Sequence, residues 1–231
     1  MIDKSPESYQ EAVRNEFPYL ETRSSIQLPP GLPPGISQVV ERDLSAAGSR
    51  SHVFISEDRT WELTLTKEGL SLSCRKYARW EQFSQKIGSV LEPLVSIYRP
   101  SFFLHTCVRY KNSIRPKHLG LDGVPWSRLL KPWLSGLLDR PEIADEVEGM
   151  QSRSVIRLPQ GIGRVEANYT LGVHQPSNEK AFIIEAHVYN DERKGLNDVN
   201  PRLDALHRQA GLFFRWCITD ELHHSMGPAL V

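Results

Sequence analysis

The hydrophobic pattern changes period once between Lys180 and Cys217. From Lys180 to Tyr189, Ile184, Ala186 and Val188 alternate with Ile183, Glu185, His187 and Tyr189. A period of two predicts a strand with one apolar and one mixed face. After a charged turn at 190–195, Val199, Leu203, Leu206, Ala210, Phe213 and Cys217 recur at steps of three and four, with Phe214 and Ile218 widening the stripe. That spacing predicts a long helix with one broad apolar face. Each element has a face that needs cover, so the pair predicts an α+β layer.

Similar signals run through the preceding chain. Tyr9, Val13 and Phe17 form a helical stripe, with Ser5 as cap, Pro6 in the first turn and Pro18 as stop. An extended segment over 21–28 precedes Pro29-Pro30-Gly31-Leu32-Pro33-Pro34-Gly35, which reads as a connecting loop. Alternation predicts strands over 52–56, 61–66 and 70–76, the last two joined by the turn Lys67-Glu68-Gly69. Trp80, Phe83, Ile87, Val90, Leu91 and Leu94 place a helix over 80–95, although Gly88 and Pro93 interrupt it. Residues 101–111 alternate again, and apolar residues on both faces predict a central strand. A helix is expected around 126–138, and strands over 152–158 and 164–171.

Strands followed by a helix thus occur early and late. The expected fold is α+β, a mostly antiparallel sheet packed on long helices. Its organisation reads as an N-terminal half, 1–116, a connecting region with a short helix, 117–150, and a C-terminal half, 151–231. Two duplicated sheet-and-helix halves and one continuous mixed sheet both account for the pattern.

Composition narrows the function classes. A chain of 231 residues, 39% apolar and 24% charged, is long enough and mixed enough to fold around a core. Its 28 basic and 28 acidic residues cancel, so no global charge draws it to nucleic acid or an anionic membrane. No window holds the roughly 20 apolar residues of a membrane span, and residues 1–11 lack the apolar centre of a secretory signal. Cys74, Cys107 and Cys217 are far apart and odd in number. They read as small buried fillers in a reducing compartment, with the cytoplasm as the expected location.

The candidate chemistry lies on the strands. Arg109, Lys111, Arg164, Glu166, Glu185 and His187 occupy the less apolar faces of their segments. Brought together, Glu166 and Glu185 can serve acid–base work with His187, or two carboxylates and a histidine can hold a divalent ion. A solvated, ion-paired face is the plainer account. Arg109-Tyr110-Lys111-Asn112 offers a planar guanidinium fork for carboxylate or phosphate, with Asn112 able to hold a turn. The ligand-binding candidates are therefore Arg109, Lys111, Asn112 and Arg164. His223-His224 lacks a partner motif for a metal. Gly161-Ile162-Gly163 is too short for a nucleotide loop. No metal and no cofactor are expected.

Four segments carry a resemblance: Tyr77-Ala78-Arg79-Trp80-Glu81-Gln82-Phe83, Val108-Arg109-Tyr110-Lys111-Asn112-Ser113-Ile114, Ile183-Ile184-Glu185-Ala186-His187-Val188-Tyr189 and Phe214-Arg215-Trp216-Cys217-Ile218-Thr219-Asp220. In order, they are similar to an aromatic pair before a helix, an Arg-Tyr-x-Asn strand end, an Asp-x-Asp strand and a C-terminal Phe-x-x-x-Ile-Thr-Asp. This set resembles a sporadically distributed bacterial family of uncharacterised proteins, over about residues 6–227. The resemblance implies architecture and no mechanism. It departs in two places: a usual first apolar strand is missing, and Glu185 and His187 stand where the acidic pair would be.

The expected function is an intracellular binding or accessory protein that engages a protein partner or self-associates through a free sheet edge and the Pro-rich loop. The family's sporadic occurrence implies a link to bacterial defence or mobile elements. The alternative is an enzyme or sensor for a phosphate-containing or nucleotide-like ligand. A small anionic ligand fits both readings. A membrane is not expected as a partner, and nucleic acid is the weakest option.

Overall fold

The structure, a computed structural model, describes residues 6–24, 50–175 and 177–227. The chain divides into two compact units, Met1–Ser101 and Phe102–Val231. Each holds its own four-stranded antiparallel sheet accompanied by helices, an α+β fold.

The first unit runs α1 (Glu7–Val13), β1 (Tyr19–Ser24), β2 (Arg50–Ile55), β3 (Trp61–Leu65), β4 (Leu70–Cys74) and α2 (Trp80–Tyr98). Its sheet is a meander in chain order, β1-β2-β3-β4. The predicted stripe Tyr9, Val13 and Phe17 is buried, together with Phe54, Leu63, Val90 and Leu94. The Tyr9 ring meets Phe54 edge-on at 5.8 Å, while its hydroxyl donates to the Val90 carbonyl at 2.8 Å. A buried phenol is thereby packed and satisfied at once. Gly88 and Pro93 do not end α2, which continues to Tyr98. The expected cap Ser5, residues 25–28 of the expected extended segment and the proline–glycine run at 29–35 lie outside the described residues.

The second unit contains β5 (Thr106–Ile114), the short helices α3 (Trp126–Leu129) and α4 (Pro132–Ser135), β6 (Met150–Arg157), β7 (Arg164–His174), β8 (Glu179–Asn190), α5 (Val199–Cys217) and α6 (Asp220–Ser225). Its strand order is β5-β8-β7-β6. The predicted stripe on α5 is buried from Val199 to Cys217, and that helix packs on β5 and β8. Ile184, Ala186 and Val188 are buried on the strand side of the same core.

Three expectations change. Residues 106–114 form an edge strand, not a central one, and they pair with β8 in the second unit, so the division falls after Ser101 rather than at 116. The apolar signal on both faces came from Phe102, Phe103 and Leu104, which precede the strand. Within β5 one face is polar, with Cys107, Arg109, Lys111 and Ser113 all exposed. The two sheets also differ in connectivity. The first is a plain meander, whereas the second inserts β8 between β5 and β7, so they are not copies of one topology. Finally, the helix expected over 126–138 is two short helices followed by a 3-10 turn. Pro132 starts the second, and Gly136 leaves it with a positive φ of 52°.

Candidate functional site

Register in the second sheet decides which side chains meet. Antiparallel pairing sets Arg109 opposite His187 and His187 opposite Glu166. In the next row, Lys111 faces Glu185 and Glu185 faces Asn168; on the other side, Cys107 faces Tyr189 and Tyr189 faces Arg164. Since alternate residues point to opposite faces, Arg109, Lys111, Arg164, Glu166, Glu185 and His187 all share the face turned away from α5. Asn112 does not join them. It sits opposite Ile184, a fully buried residue, and so belongs to the helix-covered side.

The carboxylates on this face have arginine partners. Glu166 binds Arg153 at 2.7 Å, Glu185 lies 4.0 Å from Arg109, and Asp191 Oδ2 lies 3.7 Å from Arg164. The arginines are 48–62% exposed, which makes each pair a weak contributor to stability. The set expected as two carboxylates plus histidine does not converge: among the described residues, Glu166, Glu185 and His187 form no metal-sized group.

A different trio does converge. His105, Cys107 and His187 each bring one ligand atom within 4.8 Å of the other two. His105 and Cys107 are two residues apart at the entry to β5, and His187 arrives from β8 one step diagonally from Cys107. Tyr189 stacks on His187 at 4.9 Å with the rings 27° apart. The other ring of the trio is held by a hydrogen bond, with His105 Nδ1 2.7 Å from Asp191 Oδ1. Asp191 follows Asn190, which is buried and donates to the carbonyls of Gly161 and Ile162 at 3.3 and 3.0 Å.

Burial, followed by the neighbouring Arg109 and His105, holds His187 below the ordinary histidine value, against the opposing pull of Glu166 and Asp191. It is a neutral donor–acceptor ring near pH 7. Cys107 is exposed as a residue, against the expectation of a buried filler. Its thiol is nevertheless crowded, and desolvation pushes it above the usual range, with Asp191 adding to the effect and Arg109 opposing it. Cys217 fulfils the expectation: it is fully buried and its thiol is pushed up to about 12. Cys74 is half-buried.

A second surface was not foreseen. Trp133 and Trp216 stack at 4.1 Å, yet remain 43% and 51% exposed. Leu212, one turn before Trp216, and Leu137, four residues after Trp133, are exposed as well. Trp133 also meets Tyr169 edge-on at 5.8 Å, which ties the pair to β7. Trp216 is legible as a helix position, but its companion is not, because the two tryptophans meet only after the chain between them has folded. His105 and Cys107 were within reach of sequence reading, as alternate residues leading to Arg109; their partnership with His187 required the β5–β8 register.

Compared with family models, curated proteins and solved structures, the chain finds no match. The chemistry of the site therefore rests on its own residues: an open face with arginine-paired carboxylates, a nitrogen and sulfur cluster at one end, and an apolar aromatic pair elsewhere on the unit.

Proposed function

We propose that this protein is a binding or accessory component that engages another protein or a second copy of itself, with Trp133 and Trp216 at the centre of the contact. The observation that carries this reading is the exposed stack of the two rings. Two indoles left in water forgo a large hydrophobic gain, and exposed aromatic groups flanked by leucine are what interface centres are made of. Packing against each other and Tyr169 presents them as a rigid surface, so little ordering opposes association. The polar face supports recognition more than turnover. Its carboxylates sit beside arginines. A role in bacterial defence or mobile elements accords with the family resemblance.

The alternative, a phosphate-containing or nucleotide-like ligand, draws on one feature: Arg109 on β5 and Arg164 on β7 flank β8, opposite its His187 and Tyr189 respectively. Sedimentation of the purified chain over a concentration series, combined with cross-linked recovery from its native cells, separates the two. A dimer or a stoichiometric complex is expected, and it should be lost in Trp133→Ser/Trp216→Ser while circular dichroism is unchanged. A strictly monomeric protein that yields no complex, but binds nucleotide or phosphate through Arg109, would replace this reading with the alternative.

A further inference from the structure

We propose that His105, Cys107 and His187 form a three-ligand site for a borderline divalent transition-metal ion, with zinc the first candidate, leaving a fourth position open to solvent. Two imidazoles and one thiolate match the donors zinc takes, and three protein ligands plus an exchangeable group is the arrangement of zinc sites that do more than hold a fold. The acidic residues nearby are not needed as ligands, which separates this site from a hard-cation site for magnesium or calcium.

Geometry carries the assignment. Zinc–nitrogen and zinc–sulfur bonds at tetrahedral angles place donor atoms roughly 3.4–3.7 Å apart. The three atoms here lie within 4.8 Å of one another, so closure requires about 1 Å of side-chain movement. The backbone needs no change, because the β5–β8 ladder fixes Cys107 and His187 on one face. His105 and Cys107 are both exposed residues at the entry to β5. A second observation points to the same conclusion. The 2.7 Å contact between His105 Nδ1 and Asp191 Oδ1 commits one ring nitrogen to a carboxylate and leaves Nε2 as the ligand atom. Metal-binding histidines are held in this way, by a carboxylate that sets the tautomer and raises ligand basicity. Stacking on Tyr189 restrains the His187 ring similarly.

Arg109 is the opposing charge, close enough to act on both Cys107 and His187. It is 62% exposed and leans toward Glu185, so solvent and that carboxylate screen it. Its proximity also means that an anion in the open position would meet a guanidinium.

The test uses the full chain, stripped with chelator and titrated with cobalt(II) as a spectroscopic stand-in, then with zinc in competition. One equivalent should bind, with thiolate-to-cobalt charge-transfer absorption and the intense visible bands of four-coordinate cobalt, both displaced by zinc. Cys107→Ser should abolish the charge-transfer absorption, while Cys74→Ser and Cys217→Ser retain it. His105→Ala and His187→Ala should each weaken binding, and Asp191→Asn should weaken it by about 10- to 100-fold. Absence of saturable one-equivalent binding to the stripped, folded protein overturns the site. So does charge-transfer absorption that survives Cys107→Ser, because the metal would then sit on another thiol.

Discussion

The phenolic oxygen of Tyr110 lies 2.8 Å from Nδ1 of His207, so one hydrogen bond joins edge strand β5 to the helix α5 that covers the sheet. Their half-buried rings are 6.0 Å apart, on the helix-covered side of β5 that also carries buried Val108 and Ile114. An edge strand has a ladder on one side only, so a tie to the helix adds to its hold. Tyr110→Phe keeps the ring and removes the hydroxyl. It should lower stability by about 1 kcal/mol, seen as a lower urea midpoint with unchanged slope. An unchanged midpoint would mean that water replaces the bond at no cost.

Gly163 supports the approach of β7 to β8. Its φ is +145°, and a Cβ there would lie 2.0 Å from the Tyr189 carbonyl oxygen, an overlap no rotamer relieves. Gly163→Ala should cost at least ~3 kcal/mol, from backbone strain and local separation of the strands. Gly172, in the same strand, has nothing within 4 Å of its would-be Cβ. Thermal melts should therefore show a large drop for the first substitution and little change for Gly172→Ala. The residue belongs to a glycine pair too short for a nucleotide loop, and its structural task is this close passage.

Thr219 closes the junction between α5 and α6. Its hydroxyl donates to the Arg128 carbonyl at 2.7 Å and accepts from Leu222 N at 3.3 Å as the cap of α6, while its own N–H donates to Leu129 at 3.0 Å. Thr219→Ala should cost about 1–2 kcal/mol. Thr219→Ser, which keeps the oxygen, should recover most of it. Equal losses for both, measured by denaturation, would assign the effect to the methyl group instead.

In the first unit, Asp58 receives hydrogen bonds from the Ser56 hydroxyl at 2.6 Å and from Thr60 N at 2.9 Å. These bonds, the Ser56 hydroxyl first, hold its carboxyl at about 2, below the ordinary aspartate value of 3.8. A depressed carboxyl gives stability that is fully present above 3.8 and is lost as the pH falls through about 2. Ser56→Ala should move the Asp58 midpoint up toward the ordinary value in a carbon-detected NMR titration. It should also flatten the loss of stability across that acid window.

How far the molecule is legible without coordinates differs by element. The alternation at Ile184–Val188 and the stripe from Val199 to Cys217 each encode an orientation within one element, and both are buried on the faces so assigned. The common face of Arg109, Glu166 and His187 is legible for the same reason. Which of those residues become neighbours is a matter of register between strands distant in sequence, and no single strand carries it. The register does set Glu166 opposite His187, but Arg153 also comes to 2.7 Å of Glu166, a partner that no single strand announces. Cys107 reads as a core residue for a different reason. Its apolar neighbours Phe102 to Leu104 precede the strand rather than surround it. Pro132 and Gly136 were visible breakers inside the helix expected over 126–138, and their local cost outweighed the apolar spacing.

The order β5-β8-β7-β6 has a consequence for the birth of the molecule. β5 leaves the ribosome long before β8, its one strand neighbour among the described residues, and the whole stretch from 115 to 178 must be made while its ladder groups stay unmatched. The β6–β7–β8 meander closes through short turns, whereas capture of β5 closes a long loop, the slower step. A nascent chain halted or nicked within that stretch carries an orphan strand with a reactive edge, a seed for misassembly.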